Sequence, residues 1–155
     1  MVDSYVLHHG AGEAIPGPVG GGATIKADTA ATAGAFTLLE IEVAPGLGPP
    51  QHLHQREDEM WFVLDGSLRF LAGERILPAG PGSFVFVPRG TAHCFQNVGA
   101  TPARLLVMFA PSGMERFFRE HAALTSPDEE QYRLIAERSW MEVTGPPLAR
   151  SHPIG

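Results

Sequence analysis

Between residues 35 and 110 the apolar residues come in runs too short for a helix, and a turn signal built on glycine or proline closes nearly every one. That punctuation restricts the segment to short strands. Runs at 23–27, 35–43, 60–64, 67–71, 75–77, 83–87, 93–97 and 103–109 are the predicted strands. From residue 60 onward they are separated by Asp65-Gly66, Ala72-Gly73, a Pro/Gly corner at 78–82, Pro88-Arg89-Gly90 and Val98-Gly99-Ala100. Alternation gives each strand two faces. In 36–43, Glu40 and Glu42 alternate with Leu39, Ile41 and Val43, so one face is wet and the other buried. Many short strands at regular spacing predict an all-β sandwich or barrel. The 18 glycines and 14 prolines in 155 residues mark corners rather than disorder, because 44% of the chain is hydrophobic.

The pattern changes at both ends, which divides the chain into an N-terminal strand and Gly-rich loop (1–34), a β-barrel (35–110), and C-terminal helices with a strap (111–155). Residues 5–9 (YVLHH) are a short apolar run whose first part, 5–7, is a candidate edge strand, and 16–22 is a loop or lid. After Ala110 the apolar period becomes helical. Met114, Phe117, Phe118 and His121 form one stripe over 114–124, with Ser112 as the expected N-cap and the two phenylalanines expected to pack on the barrel. A second helix is expected to open with a capping box of Ser126 and Glu129, Pro127 taking the first helical position. Residues 140–150 read as an extended strap.

The net charge of -6 leaves no basic stripe for nucleic acid. No apolar stretch approaches a membrane span, and the N-terminus lacks the features of a signal peptide, so a cytoplasmic location is expected. The single cysteine, Cys94, cannot close an intramolecular disulfide. Alternation turns it away from its neighbour His93 and makes it a buried, inert thiol.

His52, His54, Glu59 and His93 carry the chemistry. In a strand, His52 and His54 point to the same side, while Leu53 points to the other. The polar segment 55–58 supplies a turn, after which Glu59, Trp61 and Val63 share a face of a new strand, and His93 arrives from a later one. A His-x-His pair alone is as often a surface accident as a metal site. Here it lies in a longer frame: Gly46, His52, His54, Glu59 and Gly66, then Gly82, Pro88, Gly90, His93 and Asn97. Three imidazoles and a carboxylate suit one divalent transition metal ion (Fe, Ni, Cu, Mn or Zn) and leave coordination positions open. Asn97 reads as a turn or hydrogen-bonding residue rather than a ligand.

These two spaced motifs resemble those of the cupin superfamily, in its small single-domain, metal-binding form, and the resemblance covers 36–110. It implies a double-stranded β-helix (jelly-roll) barrel, here with a short C-terminal helical extension. It also implies His52, His54, Glu59 and His93 as metal ligands. The tail resembles that of small bacterial cupins described as quercetin-dioxygenase-like. Strand alternation would turn Trp61, Phe95, Leu39 and Ile41, with Phe84 or Phe86, into the barrel interior, where they would either face a small-molecule substrate or serve only as core. The implied activity is a metal-dependent dioxygenase acting on a small aromatic or enolic substrate, with dioxygen as partner and Glu59 as the catalytic base. A non-oxidative isomerase, lyase or cyclase, and a non-catalytic metabolite-binding module, remain open alternatives. A homodimer is expected, paired through an edge strand at 5–7.

Overall fold

Period-two alternation through the middle of the chain produces two antiparallel sheets, seen in a computed structural model that describes all 155 residues. The strands are β1 (Glu13–Pro16), β2 (Gly22–Ala27), β3 (Thr37–Val43), β4 (Pro50–His54), β5 (Asp58–Asp65) and β6 (Leu68–Ala72), followed by β7 (Arg75–Ala79), β8 (Phe84–Val87), β9 (His93–Asn97), β10 (Ala103–Ala110) and β11 (Met141–Pro147). Four helices accompany them: α1 (Thr29–Thr32), α2 (Glu115–Ala122), α3 (Glu129–Arg138) and α4 (Leu148–Ser151). One sheet runs β1-β2-β3-β10-β5-β8 and the other β11-β4-β9-β6-β7, the layered arrangement of a jelly roll. Both sheets extend beyond the central segment, since β1 and β2 precede it and β11 follows it.

The core lies between the sheets. Leu39, Ile41 and Val43 enter from β3, Trp61 and Val63 from β5, Phe70 from β6, Phe95 from β9, and Leu105, Val107 and Phe109 from β10. Where a strand contributes several residues they fall at every second position, so the inner faces of the two sheets pack against each other. β9 is buried along its whole length, because its outer face is covered as well. There Cys94 packs with Leu71 and with Leu148 of α4. The C-terminal strap is therefore a sheet strand followed by a helical turn, and both positions lie on the sheet that carries His52, His54 and His93.

Several local expectations are corrected. Residues 5–9 form no strand: β1 already holds the edge of β2, and the Tyr5 hydroxyl merely donates to the Lys26 carbonyl at 2.8 Å. Phe84 and Phe86 point outward, 64% and 51% exposed. In the antiparallel register Val87 stands opposite Glu59 and Val85 opposite Trp61, so the valines share the inward face. Ser112 does not cap α2. Its hydroxyl accepts from Thr29 at 2.8 Å, and the helix begins after Met114. Glu115 instead gathers this corner, accepting from the Thr37 hydroxyl at 2.5 Å and from the backbone amides of Thr29 at 2.9 Å and Gly113 at 3.0 Å. The capping box of α3 is Asp128 with Gln131, two residues beyond Ser126 and Glu129. Asp128 accepts from the Gln131 amide at 2.8 Å, and Gln131 returns the bond at 3.0 Å.

Two outcomes follow from this packing. The loop before β4 lies directly on β9, with Gly46 donating to Asn97 and Asn97 to Leu47, both at 2.9 Å. A Cβ on Gly48 would fall 1.7 Å from the Phe95 carbonyl oxygen. Gly48→Ala is expected to destabilise the fold by at least ~2 kcal/mol, read as a lowered urea midpoint; an unchanged midpoint would show that the loop lifts off freely. Burial pushes the Cys94 thiol up to about 11. Only roughly one molecule in a thousand would be thiolate at pH 8, so labelling by a disulfide reagent should be negligible in native protein and complete in denaturant.

Candidate metal centre

The four motif residues reach one point from both sheets. β4 presents His52 and His54 inward, two residues apart, and β9 presents His93, the direct cross-strand partner of His52. Glu59 comes across the core from β5 in the opposite sheet. The frame outside the cluster is fixed by short-range bonds. Gly90 donates to the His54 carbonyl at 2.8 Å, and Arg89 clamps Asp58, beside Glu59, with its backbone amide at 3.0 Å and its Nε at 3.1 Å. Asn97 acts as a hydrogen-bonding residue, donating to the carbonyls of Val43 at 3.0 Å and Thr101 at 2.8 Å.

All four side chains are buried, with donor atoms within 4.8 Å of one another. Glu59 Oε2 lies 2.7 Å from His93 Nε2, 2.8 Å from His54 Nε2 and 3.9 Å from His52 Nε2. The His54 contact is short, yet off the direction of a hydrogen bond. His52 Nδ1 donates to the Pro50 carbonyl at 2.7 Å, and His93 Nδ1 to the Thr91 carbonyl at 2.8 Å. A carbonyl can only accept, so these bonds place the proton on Nδ1 and leave the inward Nε2 with its lone pair when the ring is neutral. Ring orientation of this kind is what a metal-ligating histidine requires.

The electrostatics agree with that donor set. Burial, followed by the charges of His93 and His54, holds His52 well below the usual histidine range and so keeps it neutral. Burial alone would raise Glu59, but the surrounding His54 and His93 outweigh it, and the carboxyl sits far below its ordinary range. Burial lowers His93 while Glu59 more than reverses the effect. A cation is thus the charge this cluster accommodates, and three imidazoles with one carboxylate fit a divalent transition metal ion. Glu57 is also buried, at 3% exposure, with its Oε2 unpartnered.

Beside the cluster is a cavity of about 40 Å³. Trp61, Phe95 and Ile41 line it, whereas Leu39 is fully buried in the core and does not. Phe117 and Phe118 do more than pack the helix, since both also line the cavity, together with Phe109 and Tyr132. The helical stripe at 114–121 could have pointed to the two phenylalanines, but no sequence spacing marked Tyr132, which arrives on α3.

Purified protein is expected to carry about one divalent transition metal ion per chain, and the His52→Ala/His93→Ala double variant should retain less than about a tenth of it. Elemental mass spectrometry of the two proteins side by side checks this, and equal metal in both would rule out the cluster as the site.

Comparison with known proteins adds to the geometry. Residues 39–109 match the family model described as Cupin domain. TcmJ of Streptomyces glaucescens, a tetracenomycin polyketide synthase protein, is 31% identical over 93 residues, covering 59% of this chain and 62% of TcmJ. The mannose-1-phosphate guanylyltransferase ManC of Salmonella typhimurium is 28% identical over 80 residues, 52% of this chain but only 17% of ManC. This chain therefore matches less than two thirds of the length of either relative. Among solved structures, KdgF from Halomonas superposes with a TM-score of 0.63 at 18% identity, over 74% of this chain and 98% of that one. Residues 39–109 thus match the cupin domain model in sequence, and the motif spacing and two-sheet architecture agree with that match.

Proposed function

We propose that the chain is a metal-dependent enzyme whose reaction is the dioxygenation of a small aromatic or enolic substrate. The observation that carries this reading is a buried carboxylate, Glu59, held among three imidazoles at the edge of an apolar cavity. An ion held by His52, His54, Glu59 and His93 would supply Lewis-acid polarisation of a substrate oxygen. The remaining work falls to side chains. Glu59, charged at neutral pH, accepts the proton of a substrate hydroxyl. The carbonyls of Pro50 and Thr91 keep the His52 and His93 rings from rotating. Trp61, Phe95, Phe109 and Phe118 exclude water from the reacting edge. The likeness to TcmJ supports a substrate drawn from polyketide chemistry.

One observation favours a second, non-oxidative reading as an isomerase, lyase or cyclase. Glu59 and Tyr132 both line the cavity, and burial, with the Glu59 charge, pushes the Tyr132 phenol upward so that it stays protonated. A carboxylate acceptor and a phenol donor could move a proton between two atoms of one substrate.

An oxygen electrode separates the readings. Metal-loaded protein given a panel of phenols and enolised diketones is expected to consume oxygen stoichiometrically with substrate. Glu59→Gln, with its metal content measured alongside, should slow turnover by about 100-fold. Substrate loss without oxygen uptake would favour the second reading, and full activity in Glu59→Gln would remove the proton-transfer role. No turnover of any substrate would leave a metabolite-binding module.

A further inference from the structure

The cavity beside the metal centre is too small for the substrate proposed for it. A space of about 40 Å³ holds two or three water-sized groups, whereas a benzene-sized cavity is roughly 150 Å³. A second, larger space of about 370 Å³ lies outside it, between α3 and β11, lined by Pro50, Asp128, Glu129, Arg133 and Arg150. Tyr132 is the one residue that lines both.

The geometry points to Tyr132 as the specificity-determining wall between these two spaces, and to a substrate that lies across it. This assignment rests on the enzymatic reading above and deepens it. The substrate is a flat molecule with a narrow hydroxyl- or carbonyl-bearing edge, which enters through the outer cleft. That edge reaches the inner cavity beside Glu59, while the bulk of the molecule stays in the cleft, where Arg133 is free of ion pairs and Arg150 is engaged with Glu129 at 3.0 Å.

Three features of Tyr132 support this role. Its ring stands edge-on to Phe117 at 5.2 Å and to His121 at 5.8 Å between centroids, at the margin of the core. Its hydroxyl makes no hydrogen bond within the chain and is not among the fully buried unpartnered polar atoms, so it is free to donate to a molecule that enters. Tyr132 shares the lining of the inner cavity with Glu59 and that of the outer cleft with Arg133 and Arg150. Tyr132 therefore does two things: its ring limits the width of what enters, and its hydroxyl donates to the oxygen that arrives.

Two measurements test this, one of which does not involve the metal. In a Trp140→Phe background, which removes the exposed indole, Trp61 reports from inside the cavity. Acrylamide quenching of Trp61 should rise severalfold in Tyr132→Ala and stay at the parent value in Tyr132→Phe. In the second, 4-nitrocatechol is added to protein holding the ion it retains on purification, and its absorption band is followed in time. Association should accelerate about tenfold or more in Tyr132→Ala. In Tyr132→Phe the rate should be kept and affinity should fall roughly fivefold, the worth of one neutral hydrogen bond. Unchanged quenching and association in Tyr132→Ala would overturn the wall, and unchanged affinity in Tyr132→Phe would overturn the hydroxyl contact. Quenching that responds as expected, without metal-dependent 4-nitrocatechol binding in any form of the protein, would leave the wall standing and refute the reading as a dioxygenase of aromatic or enolic substrates instead.

Discussion

Three imidazoles and a carboxylate stand in the apolar space between two sheets, and taking them out of water is the constraint to which the rest of the fold answers. Each buried charge left alone would cost several kcal/mol. Here most of the cluster's polar atoms are turned toward another, His54 Nδ1 being left without a partner. The outward N–H groups of His52 and His93 reach backbone carbonyls, and the inward nitrogens surround Glu59. That convergence requires ligands from both sheets, so the sheets must meet in one register. The Arg89 clamp on Asp58 and the Gly90 bond to His54 hold that register from outside the core.

The ligand set was legible in the sequence because its signals are local. His52 and His54 share a face by the pleat alone, and Glu59 follows one turn later. His93 was legible through its own glycine frame. What escaped depended on contacts far apart in the chain. Alternation says that every second residue of 83–87 points inward, but only pairing with Glu59 and Trp61 decides that Val85 and Val87 do so rather than Phe84 and Phe86. The cap of α2 was misplaced because Ser112 is engaged by Thr29, 83 residues earlier. For α3, the carboxylate of Asp128 took the role that Ser126 could also have filled. Tyr132 had no marker, since its position near Glu59 depends on how α3 docks.

The C-terminal extension belongs to the site as much as to the scaffold. β11 pairs along β4, placing Val143 opposite His52 and Met141 opposite His54. α2 and α3 close the open end of the cavity with Phe117, Phe118 and Tyr132, while α4 seals the back of β9 over Cys94. The barrel motifs thus supply the donor atoms, and the residues after Ala110 supply much of the wall around them.

Strand order also sets a timetable for synthesis. β4 is flanked by β9 and β11, and β5 by β10 and β8. Every neighbour of the two strands that carry His52, His54 and Glu59 is therefore made after them. As the chain leaves the ribosome these strands wait unpaired, and β4 gains its outer neighbour only when residues 141–147 emerge. Closing contacts of such long sequence separation is slow. The nascent chain consequently passes through an interval in which two histidines and a glutamate are exposed without the register that brings them together with His93.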